Sequence, residues 1–271
     1  MCWRRHLRGV VVGLGLVLAH AAPTRAQVLY TESFAVILDS TRRVKGAIQP
    51  DVSWRNLRDN LLEIENRVNI TFRRERHAWT FANQVEYTRL GREDVLSGGY
   101  LFGEFRDLND NRYVTEVYAE LHWQSPRGLR RKVAGGYNAR LRLRKEPTSA
   151  AFLGLGLFYE YEEWTYRGVP DGRRPEIVPA LTITRRVKAN AYASLKQGLT
   201  EDIFLDVSGY VQAPLNGDLT RPRLALSAQV RYQIRTYLAF QLGYRNLYDQ
   251  APVVPVDKLF NRFDFGISLQ F

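Results

Sequence analysis

From residue 44 onward the chain repeats one pattern: about a dozen residues in which apolar and polar side chains alternate, then a turn. A period of two marks β-strands whose two faces meet different media. The closing stretch RFDFGISLQF puts Phe263, Phe265, Ile267, Leu269 and Phe271 on one face. Its other face holds Arg262, Asp264, Gly266, Ser268 and Gln270. The stretch at 151–162 sets Leu153, Leu155, Leu157, Tyr159 and Tyr161 against Gly154, Gly156, Phe158, Glu160 and Glu162. The same rule places twelve strands at 44–56, 59–73, 76–89, 94–107, 111–124, 129–144, 150–164, 183–196, 202–213, 221–233, 236–248 and 260–271. No apolar run of 18 residues follows residue 26, and mean hydropathy is −0.32, so helical spans are excluded there.

One strand of this kind fits a soluble sandwich or a membrane barrel equally well. The set as a whole favours the barrel. Strands of about 10–14 residues exceed those of ordinary sheets and suit a tilted crossing of hydrocarbon. Trp54, Trp79, Tyr87, Trp123, Tyr161, Tyr232 and Tyr248 fall near strand ends, as interfacial aromatic girdles do. The connections also sort by side. RERH, LNDN, KEPTS, GLTE and RT are short and alternate with a set containing the two longest, RGVPDGRRPEIVPALTI and DQAPVVPVD. Short periplasmic turns and long external loops are the rule for such barrels, which requires an even strand count. The fold class expected is therefore all-β: one up-and-down antiparallel transmembrane barrel of about twelve strands, within a range of 10–14.

The first 26 residues read as a secretory leader: basic MCWRRHLR, apolar GVVVGLGLVLAHA, then the small-residue context APTRA, with cleavage after Ala26. Residues 27–43 form a lead-in that could instead be a short extra strand or a lumenal plug, and 44–271 form the barrel. The only cysteine, Cys2, leaves with the leader, which removes disulfide and thiol chemistry. Of 39 basic residues, Arg4, Arg5, Arg8 and Arg25 also leave, so 35 face 28 acidic ones. That modest excess on an exported chain suits anionic head groups and gives no reason to expect nucleic acid. Outer-membrane lipid, including lipopolysaccharide, and the barrel-assembly machinery are the partners expected.

Residues with catalytic potential are few. His77 and His122 are the histidines beyond the leader. His77 lies in a turn, and His122 lies on a polar face beside Glu120 and Gln124, with no serine placed to form a hydrolase triad. Glu63 with Glu65 and Glu160 with Glu162 share faces, but two residues apart on one strand suits a salt-bridge network as well as a metal or a glycosidase pair. Gly154 and Gly156 sit inside a strand, with no helix following, so they make room for large neighbours and do not cradle phosphate. No catalytic, cofactor or metal site is expected.

FLGLGLFYEYEEW, GYVQAPLNGDLTRPRLALSAQVRY and LGYRNLYDQAPVVPVDKLFNRFDFGISLQF together resemble the YdiY-like salt-induced outer-membrane proteins, over most of 44–271. The YDQAP step before a final strand ending in Phe is the most telling piece. The arginine content and the long 165–182 loop depart from the pattern. The resemblance implies a Gram-negative outer-membrane barrel and no established ligand or reaction. It also implies that Phe263, Phe265, Ile267, Leu269 and Phe271 form a barrel-assembly signal.

Strands running alternately up and down put Glu63, Glu65, Glu86, Glu120, Glu160 and Glu162 in the outer half of strands two to seven. Arg186, Lys188, Arg223, Arg245, Arg262 and Arg55 fall in the outer half of strands eight to twelve and one, while Arg140, Arg142 and Arg144 lie near the periplasmic end. Two opposed charged walls would set a transverse field and orient small hydrophilic solutes in a narrow pore. Alternatively the two signs meet and close the lumen with ion pairs, as a structural or stress-related barrel. A lipid hydrolase is the least favoured reading.

Overall fold

The computed structural model describes residues 43–56, 60–90, 93–108, 112–146, 148–215 and 220–271. The expected leader and nearly all of 27–43 lie outside the described residues. Twelve strands follow in chain order: β1 (Val44–Asn56), β2 (Asn60–Arg74), β3 (His77–Leu90), β4 (Glu93–Asp107), β5 (Tyr113–Gln124), β6 (Leu129–Glu146), β7 (Ser149–Trp164), β8 (Thr182–Gly198), β9 (Ile203–Pro214), β10 (Arg223–Arg235), β11 (Leu238–Asp249) and β12 (Leu259–Gln270). Each pairs antiparallel with its neighbours in sequence, and β1 meets β12 to close the barrel. The boundaries follow the alternation to within two or three residues. Within the KEPTS stretch, Lys145, Glu146 and Ser149 continue the β6–β7 ladder.

The faces divide as the period of two demands. Leu153, Leu155, Leu157 and Tyr159 of β7 point outward, Leu155 being 68% exposed. Val117, Val133, Val211, Leu242 and Phe265 continue this apolar belt on other strands. The intervening residues face inward, with Gly154, Phe158, Glu160 and Glu162 of β7 buried. Gly154 stands opposite Tyr192 of β8, and a Cβ at that glycine would lie 2.1 Å from the Tyr192 ring. The glycine thus makes the room for a large inward neighbour that its in-strand position predicts.

The two ends differ. One carries the connections 75–76, 108–112, 147–148, 199–202 and 236–237; the other carries those that include 165–181 and 250–258. At this second end, residues of both long loops fold over the mouth. Val169, Val254 and Val256 pack with Leu129, Trp164, Leu247 and Phe260 into one buried apolar cluster. Beside it, the 3-10 turn Ser125–Arg127 ends on Gly128, whose φ of 83° favours glycine. A side chain there would also strike the Thr165 carbonyl, 2.2 Å from an ideal Cβ. That close approach lets the Thr165 N–H donate to Gly128 O at 2.7 Å and ties the turn to the long loop. The Arg127 guanidinium caps the cluster, 3.3 Å from the centre of the Phe260 ring.

The belt makes a quantitative demand. With Leu155 at the hydrocarbon midplane, Leu155→Arg is expected to cost about 2–4 kcal/mol in the urea-unfolding free energy measured in lipid vesicles. Leu143→Arg, near the strand end, is expected to cost roughly 0–1 kcal/mol. Equal costs at the two positions would mean that the belt does not face acyl chains.

Candidate functional site: the charged lumen

Inside the barrel, charge is organised around a few hubs. The largest lies beneath the apolar cluster. Glu160 of β7 accepts from Lys188 of β8 and sits 3.3 Å from Lys132 of β6 and 3.1 Å from Arg223 of β10. Arg223 also reaches Glu162 at 3.3 Å and Asp249 of β11 at 3.0 Å. Trp164 Nε1 donates to Glu162 Oε2 at 3.2 Å. Lys132 continues to Glu120 at 2.8 Å, and Glu120 lies 3.5 Å from His122 Nε2. Every one of these charged side chains is less than a tenth exposed, apart from Asp249 at 11%.

A second hub is Glu116 of β5, which is 0% exposed. It lies 2.8 Å from Arg140, 3.2 Å from Arg106 and 2.6 Å from the Tyr192 hydroxyl, which donates to it. Arg106 also pairs with Glu104 at 3.0 Å, and Arg140 lies over the Phe152 ring at 3.6 Å. Tyr100, Phe102, Tyr118 and Phe158 pack between the two hubs with Ala82 and Ala134, filling the β3–β7 side of the lumen.

The opposite wall is wetter. Arg262 of β12 binds Glu86 of β3, Glu65 of β2 at 3.0 Å and Asp264 at 2.5 Å. Asp264 is shared with Arg67 at 3.5 Å and Arg245 at 3.4 Å. Arg67, Arg245, Arg262 and Asp264 keep about a fifth of their surface and Glu65 keeps 38%, while Glu86 keeps only 6%.

Glu65, Glu86, Glu120, Glu160, Glu162, Lys188, Arg223, Arg245 and Arg262 all join these networks. Arg186 stands opposite Glu160 in the β7–β8 ladder, and Glu63 faces Thr88 in the β2–β3 ladder. Arg55 lies on β1 opposite Leu61, with its side chain outside the described residues. Of the three arginines assigned to the other end, Arg140 is buried at Glu116, while Arg144 is exposed and pairs with Glu146 at 2.7 Å. The signs are less segregated than two uniform walls. Lys132 and Arg106 sit among the acidic strands, and Asp249 and Asp264 among the basic ones. Alternation marks Glu104, Arg106, Glu116 and Lys132 as inward residues, but their hub roles become visible only in three dimensions. His77 stacks near Phe105 at 5.4 Å and His122 near Tyr100 at 5.7 Å.

The translocator domain of the autotransporter NalP from Neisseria meningitidis aligns with a TM-score of 0.52 at 12% identity, over 98% of this chain and 97% of that one. The chain has the fold of an outer-membrane β-barrel. A NanC porin structure aligns at 10% identity and TM-score 0.45, over 83% of this chain and 98% of that one. A bacterial polysaccharide outer-membrane secretin gives 11% identity and TM-score 0.45, with 84% and 97% covered. No family model and no curated protein matches the sequence.

Glu160 holds three cations, and removing its charge takes from Lys188 the buried carboxylate it binds and weakens the pairing of Lys132 and Arg223. Glu160→Gln is expected to lower the unfolding free energy by about 3–5 kcal/mol. Glu146→Gln, in an exposed pair, is expected to leave the unfolding curve unmoved. If both variants unfold alike, the lumen network does not hold the barrel.

Proposed function

We propose that this chain is an exported outer-membrane barrel of the YdiY-like type, with no catalytic role. Its lumen is closed at the external end by ion pairs beneath a lid of apolar loop residues. The leader directs export, and the last strand serves assembly. The apolar belt, the alternating loop lengths and the barrel fold support the location.

One observation carries the closed reading. Arg223 reaches from β10 to Glu160 and Glu162 of β7 and holds Asp249 of β11 as well. Charges so placed neutralise one another across the lumen and leave little transverse field to orient a solute. Desolvated charges need partners of this kind, since an unpaired one costs several kcal/mol, on the order of 3–5. Val169, Val254 and Val256 then cover the network from outside. Such a barrel serves the membrane as a structural or stress-related element.

The partly exposed wall of Arg67, Arg245, Arg262 and Asp264 favours a second reading, a narrow passage for small hydrophilic ions. Planar-bilayer recording on refolded protein separates the two. The closed reading expects a quiet membrane at high protein load. Regular ohmic steps would establish the pore instead, and their ion preference should then invert when Arg245 and Arg262 are both changed to Glu.

A further inference from the structure

The barrel's closing seam is paired at one end only. β1 pairs with β2 along its whole length, from Val44↔Phe72 to Asn56↔Asn60. β12 likewise pairs with β11 from Leu238↔Leu269 to Tyr248↔Leu259. Between β1 and β12, among the described residues, the ladder consists of Ala47↔Gln270 and Ile48↔Leu269, extended by reciprocal bonds between Gly46 and Phe271 at 3.0 and 3.2 Å. Beyond it, residues 49–56 of β1 and 259–268 of β12 face each other without pairing.

Pro50 gives the reason. Reciprocal bonding at Gly46/Phe271 sets the alternation of an antiparallel ladder, so 50/267 would be a hydrogen-bonded position. Proline has no N–H to donate there. A proline is tolerated on an edge that faces away from the ladder, and β1 carries its proline on the side facing β12.

Side chains bridge the gap from within. Gln49 Nε2 donates to Gln241 Oε1 at 2.6 Å, and Gln241 Nε2 donates to Ser268 Oγ at 2.9 Å. Arg67 donates to Gln49 Oε1 at 3.3 Å. Within this ring lies Gly266, and a Cβ built there meets nothing within 4 Å among the described residues, which leave open space inside. Arg231, Gln241 and Gly266 occupy one row across β10, β11 and β12. Arg231 lies over the Phe204 ring at 4.7 Å and, among the described residues, has no carboxylate at ion-pair distance. The four guanidinium groups of this wall, Arg67, Arg231, Arg245 and Arg262, face three carboxylates, Glu65, Glu86 and Asp264. Among these seven described groups one positive charge is in excess, since Asp206, whose charge also acts on Arg231, is paired with Lys196. On the outer side of the same seam, Phe265 is 82% exposed and Ile267 59%.

We propose that this seam is a lateral port between lumen and bilayer that binds a single-chain amphiphile with a monoanionic head group. The head group occupies the space at Gly266 and accepts hydrogen bonds from Gln49 and Gln241, with Arg67 and Arg231 supplying the charge. The chain leaves through the gap and lies along Phe265 and Ile267. The site matches the ligand at both ends: open, polar and cationic inside, greasy outside. Its axial closure or conductance does not enter, so the port stands or falls independently of the reading above.

Binding of anthroyloxy-stearate to the full-length exported protein in neutral detergent tests it, with its methyl ester and inorganic sulfate as controls. The carboxylate probe is expected to bind, with the ester at least about tenfold weaker and sulfate a poor competitor. Arg231→Gln with Arg67→Gln should weaken binding by about tenfold or more. Pro50→Val restores the missing donor and should zip the seam, excluding the probe. Pro50→Cys with Ile267→Cys, in a Cys2→Ala background, should exclude it when oxidised and readmit it when reduced. That rescue separates closure of the port from misfolding. Equal binding of ester and acid, sulfate competing as well as stearate, or probe binding indifferent to the oxidised seam would each overturn the proposal. So would a disulfide-linked dimer of the two-cysteine protein that binds no probe, since the seam would then be a strand-pairing interface between copies.

Discussion

Backbone hydrogen bonding in a medium without water dictates most of this structure. A strand crossing hydrocarbon needs a partner on both edges, and a sheet achieves that only by closing on itself. Closure then divides every strand into a lipid face and a lumen face, which is why one period of two runs through the chain. The seam between β1 and β12 is where the structure departs from this rule. A single residue without an N–H ends their ladder, and side chains take over the bridging.

The lumen solves a second problem created by the first. A barrel of twelve strands encloses more space than apolar side chains of this composition fill, and the alternation sends charged residues into it. Buried charges persist only when paired. The β3–β8 side meets that requirement by dense packing, with Glu116 and Glu160 each taking several cations and aromatic rings closing the remaining volume. Away from Arg223 and Asp249, the β10–β2 side keeps Arg67, Arg245, Arg262 and Asp264 partly solvated, although they too are paired. The molecule thus has a filled half and a wet half, and the seam lies in the wet one.

How much of this is legible in the sequence depends on the range of the interaction. The strands and their faces depend on side chains two positions apart, and the alternation delivers them almost to the residue, as with Leu153, Leu155 and Leu157. The in-strand glycines are equally local. Which charge meets which is a different matter. Arg262 joins Glu86 and Glu65 across most of the chain length, and that match depends on strand tilt and register, which the period of two does not encode. The mouth cluster had a faint signal, since three valines in the proline-rich stretch PVVPV are unusual for a solvated loop. Lys132 among acidic strands, and Asp264 among basic ones, show why counting charges by strand suggests two clean walls where the folded lumen has interleaved ones.

Glu160 draws its cations from β6, β8 and β10, so no contiguous hairpin contains the full set. A nascent sheet ending at β8 would present Glu160 with Lys132 and Lys188 but leave Glu162 without its guanidinium. Only when β10 curls round does Arg223 arrive to serve both carboxylates and Asp249 together. Dehydration of the interior is therefore tied to the last quarter of the chain, and the growing sheet stays soaked until its far strands come home.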